Sequence, residues 1–330
     1  MRFLLRRAGF YLVALWAALS INFIIPRLMP GNPVTAYLAK LRNTNITDAQ
    51  ITAIQQMLGF DPHASVVQQY IQYLNAVLHG DLGIATSQYP TKVGDILARS
   101  LPWTVGLVGS ALLLSFLIGT LAGMLMAWRR GSWYDTSVPP LLTFFSAIPY
   151  FWMALALAFI FGVNLGWFPS SDGYDVYTTT PGWNIDFISS VVQHSILPVI
   201  TLVVGSLAQW VLTMRNTMVT TLSEDYVLMA RAKGLPERRT MFNYAARNAI
   251  LPSVTSFSIS LGLVVSGSLL TEIVFNYPGI GFALYTAVFQ SDYALLEGCF
   301  MVIALAVLIA NFVSELIYVF LDPRVRQGRS

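Results

Sequence analysis

The chain has few charged residues and almost no cysteine. Charged residues make up 11% of its 330 residues, whereas a typical soluble domain has about 25%. This deficit argues against a soluble globular protein and indicates a polytopic membrane protein. The net charge of +3 is too small to suggest a nucleic-acid partner. The single cysteine, Cys299, lies in an apolar run, which excludes a disulfide framework and a cysteine-based metal site.

The sequence also lacks the usual motifs of catalysis and nucleotide binding. None of its three histidines has a ligand partner three or four residues away, which argues against a metal site. There is no Gly-x-Ser-x-Gly nucleophile elbow. All lysines lie outside any Gly-x-x-x-x-Gly-Lys-Ser/Thr pattern, so the chain has no phosphate-binding loop of its own. We predict a non-catalytic chain without cofactor or metal; if ATP drives it, other chains must bind the nucleotide.

Long apolar runs are what the sequence has in abundance. Each run is close to the length that crosses a bilayer as a helix. We predict an all-α polytopic membrane protein with six transmembrane helices, at Ala8–Ile25, Leu101–Trp128, Val138–Val163, His194–Met214, Ile250–Phe275 and Ala294–Phe320.

The first run has basic residues before it, as a secretory signal peptide would. It is about 18 residues long, however, and it continues into "PRLMPGNP" without a small-x-small cleavage site. We therefore expect an uncleaved first span.

The basic residues predict the orientation, because Lys and Arg concentrate on cytoplasmic loops. With both termini in the cytoplasm, 14 of the 19 Lys and Arg residues fall on the cytoplasmic side. The other five lie in the long first outer loop, where this rule weakens. The second outer loop, residues 164–193, has none.

Three regions follow from this topology: residues 1–29 with the first span, an outer region at residues 30–100, and a five-span core at residues 101–330. The outer region has two helical patterns. "TDAQITAIQQMLG" opens with a capping-box pattern and stops at Gly59, and "SVVQQYIQYLNAVLHG" has apolar residues at helical spacing and ends at Gly80. We predict a small helical insertion outside the membrane, which either packs on the spans or contacts a substrate.

A polar segment, "EDYVLMARAKGLPERRTMFNYAARNAILP", separates two apolar runs. Ser223 could cap a helix that begins with two acidic residues, which suit the positive first turn. Gly234 could end that helix, and Pro236 could start a second one. The first helix would expose one face to a partner chain or to lipid. These exposed residues are Tyr226, Met229, Ala230 and Lys233.

Few residues suggest a polar pathway through the membrane. Glu272, near the outer end of the fifth run, is the clearest charge inside a span. The loop before the fourth run is rich in aromatic and acidic residues. Its aromatic residues either sit at the membrane interface or stack on a polar solute. They include Trp167, Tyr174, Tyr177 and Trp183.

The polar segment resembles the cytoplasmic EAA-type loop of binding-protein-dependent ABC importer permeases, in particular the dipeptide/oligopeptide permease family. The resemblance rests on "EDYVLMARAKGL" and "ARNAILP" and extends over nearly the whole chain. It includes "FLLRR", "MPGNP", "GDLG", "LPWTVGL", "IPYFWMALAL", "LGWFPSS", "ILPVITL", "EIVFNYPGIG" and "LDPRVR", in this order.

The resemblance implies a type I ABC importer fold and a role for individual residues. Within a cytoplasmic loop at residues 215–250, a coupling helix would sit in a groove of an ATP-binding subunit, and Pro252 would mark re-entry into the membrane. The coupling residues are Glu224, Asp225, Tyr226, Ala230, Arg231, Ala232, Lys233 and Gly234. Beside the translocation pathway the resemblance implies Tyr277 and Pro278, next to Asn276 and Glu272.

The resemblance also implies partners and a location. These are a second related permease, two ATP-binding subunits that hold ATP and Mg²⁺, and an extracytoplasmic substrate-binding lipoprotein, in a bacterial inner membrane with its lipid. We expect the solute to be an oligopeptide. The aromatic outer loop leaves oligosaccharides open as an alternative, nickel complexes are less favoured, and a stand-alone secondary transporter is a remote alternative.

Overall fold

The computed structural model describes residues 2–28, 64–261, 264 and 269–321. Regular structure in these residues is helical, and their one β-type contact is an isolated bridge between Ile84 and Lys92. The predicted all-α class is therefore confirmed for this part of the chain. The outer helical pattern that ends at Gly59 lies outside the described residues.

The helices are named here in chain order. They are α1 (Arg2–Leu28), α2 (Val66–Leu78), α3 (Val93–Trp128), α4 (Trp133–Ser146), α5 (Tyr150–Leu157) with the π-helix π1 (Ala158–Asn164), α6 (Ile185–Thr221), α7 (Asp225–Ala232), α8 (Glu237–Arg239), the π-helix π2 (Thr240–Ala246), α9 (Arg247–Ala249), α10 (Leu251–Leu261), α11 (Leu269–Val274), α12 (Ile280–Phe289) and α13 (Tyr293–Leu321).

The chain divides into two compact units. The first combines Met1–Trp103 with Pro278–Leu308, and the second combines Thr104–Tyr277 with Ile309–Ser330. The regions that we predict at residues 1–29, 30–100 and 101–330 follow membrane topology, and they stay a prediction.

The predicted spans can be compared with the helices. Among the described residues, α3, α6 and α13 are long and apolar enough to cross a membrane, and α4 with α5–π1 gives a fourth if that bent pair is one span. The predicted first span falls on α1, in which Gly9–Ile25 is apolar but is not among the helices long enough to cross a membrane by themselves. The predicted fifth span falls on α10 and α11, and residues 262–263 and 265–268 between them lie outside the described part. Six spans therefore stay a prediction.

The predicted third span, Val138–Val163, is bent in the structure. Its two halves, Trp133–Ser146 and Tyr150–Asn164, meet at an angle of 96°. Pro149 precedes the second half as its N-cap. A residue before proline is disfavoured in the helical region, which explains why the helix is interrupted at Ile148.

The first unit is built around an apolar core. Residues from the start of α3, from α12 and from the start of α13 form this core, and Cys299 is buried in it. Asp292 precedes α13 and is also fully buried. Its carboxylate accepts hydrogen bonds from the Ser87 N–H (2.8 Å), the Ser87 hydroxyl (2.7 Å) and the Leu295 N–H (3.1 Å). These donors compensate its burial and fix the loop before α3 to α13.

Polar contacts at the end of α1 hold three helices of the first unit together. Arg27 lies over the Phe23 ring and pairs with Glu297 of α13 at 3.3 Å. The Asn22 amide donates to the Glu297 carbonyl (2.7 Å) and to the Tyr73 hydroxyl of α2 (3.1 Å). The predicted helix over the second outer pattern is confirmed as α2, and it begins with a reciprocal capping box of Ser65 and Gln68 that the sequence analysis did not identify.

Close packing of α3 on α6 organises the second unit. Gly119 and Gly123 lie one turn apart on α3, and small residues at this spacing allow two helix backbones to approach closely. A Cβ at Gly119 would overlap the Trp210 Cβ, and one at Gly123 would overlap the Val211 carbonyl oxygen. These two positions therefore require glycine.

Candidate functional site

The polar segment after α6 forms the predicted short helix, α7, with a sharp turn behind it. Gly234 follows its last residues with a φ of +72°, a left-handed conformation that favours glycine. The Gly234 N–H donates to the Arg231 carbonyl (2.9 Å) and the Leu235 N–H donates to the Ala230 carbonyl (3.3 Å). This pair of bonds is a Schellman motif. The predicted left-handed end of the helix at Gly234 is confirmed.

The start of α7 differs from the prediction. Glu224 is the N-cap residue, and its side chain makes no capping bond. Ser223, which we expected to cap, donates its hydroxyl to the Thr220 carbonyl instead (2.7 Å). That interpretation was wrong because Ser223 still belongs to the turn that ends α6. Asp225 lies in the first turn of α7, where its charge suits the helix dipole.

A second helical stretch leads from this turn towards α10. Pro236 is the N-cap of α8, and π2 and α9 continue without a break to Ala249. The Val254 N–H then donates to the Ile250 carbonyl (2.9 Å), so helical bonding continues past Pro252. Pro252 is the second residue of α10, where its missing N–H does little harm.

One side of α7 packs on its own chain. Val227 is fully buried in a cluster with methionines of α3, α6 and π2, and Ala230 is buried as well. We expected Ala230 on the exposed face, and this expectation was wrong. On a helix Ala230 lies close to both Val227, three positions before it, and Tyr226, four positions before it. The hydrophobic effect favours burial of the side with Val227, which packs on α6 and π2, and Ala230 is buried with it.

The opposite side of α7 is exposed. It combines apolar side chains with charge at both ends of the helix. The exposed residues are Glu224, Asp225, Tyr226, Leu228, Met229, Arg231, Ala232 and Lys233. The Arg231 guanidinium lies 5.2 Å from the centre of the Trp128 ring, a cation–π geometry that connects α7 to the last residue of α3.

An ion pair near this segment was missed by the sequence reasoning. Asp135, which is almost fully buried, accepts from Arg215 Nε at 2.5 Å and from the Gly131 N–H at 3.0 Å. The two side chains lie 80 positions apart, so no local pattern indicates the pair. It links the start of α4 to α6.

The predicted pathway residues at the other end of the unit occupy different environments. Glu272 is fully buried, and its carboxylate accepts from the Thr104 hydroxyl at 2.8 Å. Tyr277 is also buried, and its hydroxyl lies 3.0 Å from the Ser195 hydroxyl. The Tyr277 N–H donates to the Glu272 carbonyl (2.8 Å). Pro278 follows next in the sequence as the first residue of the other unit.

Asn276 connects this turn to the aromatic outer loop. Its amide donates to an Asp172 carboxylate oxygen at 2.6 Å, and the Asp172 N–H donates to the Phe275 carbonyl at 2.8 Å. Both residues are left-handed, with φ of +48° for Asn276 and +69° for Asp172. Non-glycine residues in this region are uncommon and strained, so the two side chains and the backbone stabilise each other in this geometry.

The predicted aromatic residues of the outer loop do not come together. Trp167, Tyr177 and Trp183 are exposed, the last completely. Tyr174 packs edge-on against Phe187, with ring centres 5.1 Å apart. The rings therefore form no common stacking surface within the described loop.

A polar depression of about 610 Å³ lies between the same loop and the start of α6. Its lining includes Asp175, Thr178, Asp186, Ser190, Gln193 and His194. The Thr178 side chain and the N–H groups of Tyr177 and Thr178 hydrogen-bond to Asp175 and lower the pKa of its carboxyl group. This carboxylate therefore stays charged over the physiological pH range.

Known proteins resemble the chain over its whole length. Residues 119–327 match the family described as binding-protein-dependent transport system inner membrane component. The chain is 34% identical to the di/tripeptide transport system permease protein of Pseudomonas aeruginosa, with 99% of each chain covered. It is 33% identical to the dipeptide transport system permease protein of Escherichia coli, with all of both chains covered. It is 29% identical to the oligopeptide transport system permease protein of Bacillus subtilis, with 98% of each covered.

Proposed function

The chain belongs to the family of binding-protein-dependent transport system inner membrane components, and we propose that it is the permease subunit of an ATP-driven importer of peptides. It is a multi-pass inner-membrane protein of a family whose members are generally not enzymes. The peptide assignment rests on similarity over the full length to permeases named for dipeptides, di/tripeptides and oligopeptides.

In this proposal α7 is the coupling helix that docks on an ATP-binding subunit. The observation that carries it is the two-sided packing of α7. Val227 and Ala230 fix the helix to its own chain, while the neighbouring residues Leu228 and Met229 stay exposed. Rigid-body motion of an ATPase can move the spans only through an element that is stiff and packed on them. The Schellman turn at Gly234 and the helical stretch behind it supply that stiffness.

The proposed assembly has further chains around this subunit. A second related permease would complete the pathway, two ATP-binding subunits would hold ATP and Mg²⁺, and an extracytoplasmic lipoprotein would deliver the peptide. The coupling surface would then be the exposed face from Glu224 to Lys233. The Trp128 ring would position the Arg231 guanidinium on this face through the cation–π contact. The distribution of basic residues supports six spans of type I topology, cytoplasmic termini and an extracytoplasmic insertion at residues 30–100.

We assign the outer end of the pathway to the 272–278 turn and the loop before α6. The polar depression and the exposed rings of Trp167, Tyr177 and Trp183 are the candidate contacts for a solute in that loop. Tyr174 would support them through its contact with Phe187. Glu272, Asn276 and Tyr277 would hold the turn in shape rather than contact the solute, because Glu272 and Tyr277 are buried and Asn276 is bonded to Asp172.

The test is ATP hydrolysis by the complete complex in lipid. The binding protein is supplied with a peptide pool or with a cello-oligosaccharide pool, and stimulation of the ATPase is compared. We expect stimulation by peptides alone. Stimulation by sugars alone would overturn the peptide assignment and make the exposed rings the residues to mutate next. Transport by the purified chain without ATPases would overturn the importer assignment itself.

A further inference from the structure

The helix α2 has an exposed apolar row that no described part of the chain covers. Val67, Ile71 and Leu78 are between 60% and 83% exposed. At about 100° per residue, they lie within roughly 40° of each other around the helix. Isolated exposed apolar residues need no explanation, but an aligned row on one helix does.

The position of α2 along α1 indicates what covers this row. Ser20 of α1 lies 2.6 Å from the Tyr70 hydroxyl, and Asn22 donates to the Tyr73 hydroxyl. Both tyrosine rings also pack on Phe23, with ring centres 5.1 and 5.5 Å away. The helix α2 is therefore fixed beside the last turns of the apolar stretch of α1.

Those turns have to lie within the membrane. The uncharged run of α1 between Arg7 and Arg27 is about 28 Å of helix at 1.5 Å per residue, whereas the hydrocarbon core is about 30 Å thick. A span this short has no turn to spare outside the bilayer. The exposed side chains of Ile21 and Ile24 lie in the same turns of α1 that contact α2. The exposed apolar surface of α1 therefore extends as far as the residues beside α2.

The side chains of α2 divide into three sectors, as expected for a helix at a membrane surface. One sector, with Tyr70 and Tyr73, packs on α1. The exposed apolar row comes next around the helix, and the exposed polar residues Gln68, Gln72 and Asn75 follow. No charged residue occurs in Val66–Leu78. Tyrosines are enriched at membrane interfaces, where the ring is apolar and the hydroxyl is polar.

We infer that α2 is an interfacial helix whose Val67, Ile71 and Leu78 insert between the headgroups and acyl chains of the bilayer at the end of α1. Amphipathic helices of this kind bury their apolar face about 5–10 Å into this boundary. The inference rests on the membrane placement in the proposed function and not on ATP coupling or the solute. It would also give the end of α1 a second contact with the membrane, through α2.

The test measures membrane depth along α2. The full chain carries Cys299→Ala, which removes its own buried cysteine so that the label attaches at one position. One new cysteine is then introduced, either Ile71→Cys or the neighbouring control Gln72→Cys. Each variant is purified with its partner chains, placed in lipid nanodiscs and spin-labelled. Collision rates are measured with oxygen, which dissolves in lipid, and with a water-soluble nickel chelate. We expect the oxygen-to-nickel ratio to be at least about threefold higher at position 71 than at position 72.

A second pair, Leu78→Cys against Asn75→Cys, repeats the comparison if one variant does not assemble. Equal ratios with free nickel access would overturn the inference, because the row would then face water. Exclusion of both reagents at position 71 would also overturn it, since protein would cover the row. So would nickel access that is lost only when the binding protein is added. ATPase stimulation is recorded on the same samples, so that failure of the inference and failure of the proposed function are told apart.

Discussion

At the scale of single residues, Gly234 has a defined conformational role. A Cβ at this position would meet no other atom within 4 Å, so a substitution there costs only backbone strain at φ +72°. A β-branched residue is strained in this region by more than about 1 kcal/mol. We expect Gly234→Val to reduce both co-purification of the ATP-binding subunits and substrate-stimulated ATP hydrolysis, because the turn after the proposed coupling helix would change shape.

Two control variants make the Gly234 test specific. Gly234→Asn should keep most of the activity, because asparagine tolerates the left-handed region. Gly80→Val introduces the same strain at the same φ of +72° with open space around it, but after α2. If Gly80→Val and Gly234→Val impair ATPase binding equally, or if Gly234→Val behaves like the wild type, the assignment of a coupling turn is wrong.

The hydrogen bond between Asp172 and Asn276 gives a second prediction at this scale. Asn276→Asp would place two carboxylates where an amide now donates at 2.6 Å. The lost bond and the repulsion together cost about 1–2 kcal/mol at an exposed site. We expect a lower unfolding midpoint for Asn276→Asp and recovery in the double variant Asp172→Asn/Asn276→Asp, which exchanges donor and acceptor. Scanning calorimetry of the purified complex measures both, and a double variant no more stable than the single one would contradict the prediction.

At the scale of helices, the contact of α3 with α6 should distinguish two glycines of the same helix. Alanine is about 1 kcal/mol better than glycine in a helix. At Gly109 a Cβ would meet nothing within 4 Å, whereas at Gly123 it would overlap the Val211 carbonyl oxygen and lie 3.0 Å from the Arg215 backbone nitrogen. We expect Gly109→Ala to raise the unfolding midpoint of the complex or leave it unchanged. Gly123→Ala should lower it, because overpacking typically costs about 1–3 kcal/mol. Equal shifts would show that the helices are not closely packed here.

Local rules predicted those parts of α2 and α7 that depend on neighbouring residues. The helix α2 that ends before Gly80 and the left-handed Gly234 after α7 were predicted from the sequence, because both depend on residues close together in the chain. The capping box of Ser65 and Gln68 is equally local but was not predicted.

The side of α7 that faces the chain could not be predicted, because helical spacing does not reveal whether α6 or a partner covers a face. The pair of Asp135 with Arg215 depends on a contact between residues far apart in the sequence. The bend of 96° has a local cause in Pro149, but hydropathy alone shows one continuous apolar run there.

At the scale of the whole molecule, two adjacent residues of α7 should separate docking from transmission. Val227 is fully buried against the spans, and Leu228 is 48% exposed on the opposite side. If α7 transmits the motion of an ATPase, it must bind the ATPase through one side and hold the spans through the other. Weakening each side separately should therefore impair different steps of transport.

We expect Val227→Ala, which leaves a cavity worth roughly 2 kcal/mol, to keep ATPase binding and hydrolysis but to lower the number of peptides transported per ATP. Leu228→Ser should instead weaken ATPase binding and leave that ratio unchanged in the complexes that form. Uptake and hydrolysis are measured together in proteoliposomes that contain the binding protein. If both variants lower the ratio equally, or if Val227→Ala alone abolishes ATPase binding, then α7 does not act as a two-sided connector, and the force of ATP hydrolysis must enter the membrane part of this chain elsewhere.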